Sequence, residues 1–118
     1  MKPSDAKLAE RKPVWNALSE LFLDTELQTA DLDRIAAVLA QSSYSEKKIE
    51  EILKYEITPV LKSNMTAVAG EWVGFDEDWL QKKLATQIDR KPIFSFGVFY
   101  IIRKDWLDIK SRIQNLRK

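Results

Sequence analysis

Towards its C-terminus this chain places apolar residues at Phe99, Ile102, Trp106, Ile109, Ile113 and Leu116, in steps that alternate between three and four. Only a helix gathers such a series on one face, because its side chains repeat every 3.6 residues. The spacing predicts one amphipathic helix from about Phe96 to Leu116. The run 93–102 is apolar and aromatic enough to form a buried strand. A lone strand would have no partner to pair with, so the helix absorbs it. With only 3 Gly and 4 Pro among 118 residues, the rest of the chain has few helix breakers and reads as helices joined by short loops.

The remaining stripes agree. Val14, Trp15, Leu18, Leu21 and Phe22 line a first helix, with Pro13 at its opening turn, where a missing N–H costs nothing. A short turn or helix precedes it from Ser4. Thr29 reads as the N-cap of a helix over 29–42, with Asp31 and Asp33 near its positive end and Leu32, Ile35, Ala36 and Leu39 on one face. Ser43 and Glu46 have capping-box spacing, and the stripe Ile49, Ile52, Leu53, Ile57 leads to Pro59, which is expected to end or kink that helix. Helix resumes over 60–69. Asp76 reads as the next N-cap, with Glu77 and Asp78 in the first turn, Phe75 stapled against Leu80, and an end near Asp89. The expected fold is all-α: one domain over 1–118, a compact array of five or six helices.

Composition narrows the chemistry. The chain has no His and no Cys, which removes the usual general base, the thiolate nucleophile and the common zinc and haem ligands. No Gly-rich phosphate loop is formed by the glycines at 70, 74 and 97. A Ser or Thr nucleophile would need lysine as its base, and the spacing picks out no such pair. No catalytic residue, metal or cofactor is expected. A chain of 13.7 kDa folds without disulfides. Zero Cys fits a reducing cytosol, and the polar start Met1 to Lys12 and the lack of a membrane-length apolar window point to a soluble cytoplasmic protein without membrane contact.

Charge offers candidate surfaces. Residues 1–60 hold 8 Lys/Arg against 11 Asp/Glu, and residues 61–118 hold 11 against 7. The acidic excess gathers at Glu20, Asp24, Glu26, Asp31 and Asp33, and again at Glu71, Asp76, Glu77 and Asp78. These carboxylates form either a face for a basic partner or solvated helix surfaces and N-termini. Asp76 to Asp78 lack the spacing of a calcium loop, so capping accounts for them. Arg103, Lys104, Lys110, Arg112, Arg117 and Lys118 make the last helix cationic, which suits nucleic acid or, more simply, the negative end of a helix dipole. Glu56 lies inside the apolar stripe of its helix, so it is expected to be partly buried with a Tyr, Trp, Asn64 or Lys/Arg partner. It is either an acid or base in a cleft or a buried polar anchor at the Pro59 kink.

The segments Pro13 to Leu27, PVWNALSELFLDTEL, and Tyr55 to Leu80, YEITPVLKSNMTAVAGEWVGFDEDWL, resemble a family of small helical bacterial proteins of uncharacterised domain type. The shared elements are the Trp15 to Phe22 helix, the Leu-Asp-Thr-Glu-Leu turn, Tyr55–Glu56 before Pro59, and the Gly70-Glu71-Trp72 and Gly74-Phe75-Asp76 block. They span about residues 13 to 80 and mark a fold, without an active site. Small helical proteins of this kind also resemble the immunity proteins of contact-dependent inhibition and other polymorphic toxin systems. That resemblance implies a protein that binds and blocks a cognate toxin domain, a nuclease such as an RNase, through the acidic sets above and the loop around Trp72. The alternative is a nucleic-acid-binding or regulatory module that uses the basic last helix. A third class, an enzyme built on Glu56, requires a ligand pocket beside that residue.

Overall fold

A computed structural model describes residues 5–23, 27–65, 77–86, 88 and 96–118. Its regular elements are α1 (Asp5–Leu23), α2 (Thr29–Gln41), α3 (Glu46–Ile52), a π-helical turn (Leu53–Ile57), α4 (Thr58–Met65), α5 (Glu77–Ala85) and α6 (Phe96–Leu116). Because α3, the π turn and α4 follow without a break, the six α-helices form five rods, and every regular element among the described residues is helical. The radius of gyration, 13.7 Å, is close to the ~13.5 Å of a compact globule of this length.

The stripes read from the sequence make the core. Val14, Trp15 and Leu18 of α1, Ile35 and Leu39 of α2, Ile49 to Ile57 through the π turn, and Ile102, Trp106, Ile109 and Ile113 of α6 supply its buried apolar side chains. The α6 helix has the predicted bounds, which settles the 93–102 ambiguity for 96–102 in favour of helix. Its last apolar residue departs from the stripe: Leu116 is 57% exposed, and Arg117 beside it makes the contacts with the end of α2.

α2 and α6 share the most extensive interface and run parallel, with Asp33 beside Arg112 and Leu39 beside Arg117. α1 runs antiparallel to α2, with Glu20 against Arg34 at one end. Arg117 closes the base of the molecule. Its guanidinium donates to the carbonyls of Leu39, Ala40, Ser42 and Tyr44 and to the Glu46 carboxylate, so it satisfies the exposed end of α2 and fixes the turn into α3.

Four boundaries differ from the sequence expectation. Pro13 lies inside α1, which starts at Asp5; the helix tolerates it because Ala9, whose carbonyl loses a donor, and Pro13 itself are both exposed. The N-cap of α2 is Gln28, one residue earlier than Thr29, and its N–H donates to the Asp31 carboxylate at 3.0 Å. α3 is capped by Ser45, whose hydroxyl accepts from the Lys48 N–H at 3.1 Å; Ser43 lies in the turn before it. α5 ends at Ala85, where the Thr86 hydroxyl and N–H both turn back to the Lys83 carbonyl, four residues short of Asp89.

Pro59 neither ends its helix nor stands at a simple kink. The Thr58 N–H reaches back to the Leu53 carbonyl, a π-type step, and the Thr58 hydroxyl donates to the same oxygen at 2.7 Å. The widened turn makes room for a ring that an unbroken α-helix would drive into the preceding carbonyl. The Asp76 cap, the Phe75 staple and residues 66–69 lie outside the described residues.

Candidate functional site

The π turn puts Glu56 on the inner side of its helix, facing α1. Glu56 is 2% exposed and Arg11 1% exposed. The Arg11 guanidinium forms a buried ion pair with Glu56 Oε2, and the Trp15 indole N–H donates to Oε1 at 2.8 Å. Arg11 Nε donates to the Tyr44 hydroxyl at 3.1 Å, with the guanidinium carbon 5.1 Å from the centre of that ring. Burial alone would lower the Arg11 pKa; the hydrogen bonds to Glu56 and Tyr44 outweigh it and raise the value.

Every charged atom of this cluster that the fold takes out of water is thus met by a partner, as a buried ion pair requires. Among the described residues no buried side-chain nitrogen or oxygen lacks one. Both Glu56 oxygens are occupied by core side chains, and the arrangement ties α1, the α2–α3 turn and the π turn into one register.

Sequence reasoning foresaw a partner for Glu56 and missed Arg11. The signal was present, since Arg11 precedes Trp15 by four and Leu18 by seven and so extends the α1 stripe. Reading Pro13 as the start of the helix cut that stripe one turn too late. A second polar link pins α6: the Trp106 indole N–H donates to Glu50 Oε1 at 2.8 Å. Burial raises the Glu50 pKa, but the Trp106 bond and Lys54 outweigh it, so the net shift is downward.

The acidic candidates divide by location. Asp24, Glu26, Glu71, Trp72 and Asp76 lie outside the described residues, as do the side chains of Glu77 and Asp78, whose backbones open α5. The remaining three fall into two clusters, one between α1 and α2 and one between α2 and α6, each built round an arginine. Arg34 donates to both oxygens of Glu20, at 2.8 and 2.7 Å, and to Asp31 at 3.4 Å. Arg112 pairs with Asp33 and with Asp108, the latter at 2.8 Å.

Four carboxylates therefore share two guanidiniums, which leaves a formal charge of −2 on the two clusters. Both clusters are open to solvent: the side chains of Asp33, Arg34 and Asp108 are 63%, 53% and 46% exposed. The Gln28 N–H holds the Asp31 pKa below the usual carboxylate range, aided by Arg34.

The cationic candidates are partly consumed by the same contacts. Arg112 and Arg117 are engaged within the fold, and Arg103 and Lys104 remain exposed on α6. No helix among the described residues is long and apolar enough to cross a membrane.

The profile of the family described as Domain of unknown function (DUF7079) matches residues 9–115. The match takes in the C-terminal third, beyond residue 80. No curated protein and no solved structure matches the chain.

Proposed function

The chain belongs to the DUF7079 family, a family of unknown function, and from its surface chemistry we propose that it works by binding, as an immunity protein that covers the active site of a cognate bacterial toxin domain. An RNase of a contact-dependent growth inhibition system, acting in the cytoplasm, is the toxin expected. The observation that carries the reading is the pair of solvent-facing clusters in which Glu20 and Asp31 share Arg34, and Asp33 and Asp108 share Arg112. A nuclease holds its phosphate substrate with cations, and a net-negative surface occupies the same cations. Because each carboxylate of the clusters is already held by an arginine, little side-chain freedom is left to lose on docking.

The test is capture of a partner from the native host under a moderately high-salt wash, followed by assay of the recovered partner against RNA with and without stoichiometric protein. Inhibition of an RNase domain supports the reading. Recovery of nucleic acid, or a partner whose activity the protein leaves intact, overturns it and turns attention to Arg103 and Lys104 on α6.

A further inference from the structure

We infer that the cleft between α1 and the C-terminal end of α2 is a socket for a lysine or arginine side chain, supplied by the partner protein; the inference rests on the binding function proposed above and adds a second contact to it. The cleft has a volume of about 350 Å³ and is lined by Ala9, Glu10 and Pro13 of α1 and by Val38, Gln41, Ser42 and Ser43 at the end of α2. Its polar lining comes from Glu10, Gln41 and the two serines, and Glu10 is its one charged side chain. Pro13 has no N–H to give, so the Ala9 carbonyl, four residues back in the helix, loses its α-helical donor on an exposed face of α1. Glu10 is exposed, and its carboxylate has no hydrogen-bond or ion-pair partner among the described residues.

The molecule already uses this chemistry on the other side of the same helix end. There Arg117 fills the carbonyls of Leu39, Ala40 and Ser42 from α6; on the α1 side Ala9 and Glu10 border the cleft. Val38 offers an apolar wall for the aliphatic stem of a long cationic side chain. An anion would meet the Glu10 carboxylate and be repelled.

The position also suits the proposed interface. Glu10 and Glu20 are separated by ten residues of one helix, about 15 Å along its axis. Partner cations at that spacing would engage the socket and the Glu20 cluster together.

The test is a two-dimensional NMR titration of the intact protein with N-acetyl-arginine amide, and with N-acetyl-norleucine amide as the uncharged control. A saturable shift confined to the amides of Ala9, Glu10, Gln41 and Ser43 is expected from the arginine probe alone. Glu10→Gln removes the charge, and Pro13→Ala returns an N–H to the Ala9 carbonyl; each is expected to weaken the response about tenfold, the value of one charge-assisted contact, with circular dichroism unchanged. Equal shifts from the uncharged probe, no saturable shift, or variants that respond like the parent protein would overturn the socket. The two readings separate cleanly: a failed arginine titration beside a captured and inhibited toxin removes the socket alone, and a saturable titration without any inhibited toxin removes the immunity reading alone.

Discussion

At the scale of the residue, the sharpest consequence belongs to Arg11 and Glu56. Removing one member leaves the other charged and buried, so Arg11→Met or Glu56→Gln alone is expected to cost about 3–5 kcal/mol in urea unfolding. The double variant Arg11→Met/Glu56→Leu is expected to recover much of that loss, because no orphan charge remains. A double variant as unstable as the sum of the two singles would show that the pair contributes more than it costs to bury.

Asp31 gives the pH dependence. Its folded pKa is lowered by the Gln28 N–H and Arg34, so the stability it contributes is present above its unfolded pKa, about 4, and is lost as pH falls through the lower folded value. Asp31→Asn should therefore flatten the loss of thermal stability on acidification below about pH 4, measured against the parent protein. An unchanged acid slope would show that the cap does not discriminate between the charged and neutral forms.

At the scale of the element, the rod from Glu46 to Met65 shows how local chemistry and packing share control. Its start follows from local residues, with Ser45 as the cap. Its middle depends on a π turn that no periodicity announces, because one added residue shifts the phase of the stripe without erasing it: Ile49, Ile52, Leu53 and Ile57 are all buried on either reading. Pro59 signalled an irregularity, but its form rests on where Leu53, Glu56 and Thr58 must point. Thr58→Val keeps the shape and the N–H bond to Leu53 while deleting the buried hydroxyl bond. It is expected to cost about 1 kcal/mol by denaturant midpoint, and a much larger loss would mean that the hydroxyl holds the π turn open.

At the scale of the whole molecule, the two acidic clusters are a joint product of α1, α2 and α6. Asp31 must be spared in testing them, since it also caps α2. Charge reversal of Glu20, Asp33 and Asp108 together is therefore the informative variant. It is expected to slow association with the proposed toxin partner and to weaken its salt dependence, while thermal stability stays nearly unchanged because these pairs are exposed. Stopped-flow association at two ionic strengths checks this; a variant that binds like the parent protein removes the acidic clusters from the mechanism.

The sequence by itself determined the helices, because a helix is a local object. Its period of 3.6, its caps and its stripes are written in residues within four of one another, which is why the α6 bounds and the core stripes could be read directly. The same local information placed Glu56 inside a stripe and so required a partner for it. Only the tertiary structure decided that the partner is Arg11, 45 residues away, and that Arg34 and Arg112 come to rest among the carboxylates of the two clusters. Tertiary packing also decided that Pro13 and Pro59 lie within helices. The physical reason is the same throughout: burial and ion pairing depend on which surfaces the chain brings together, and a proline's cost depends on whether its freed carbonyl meets water or its ring is given room.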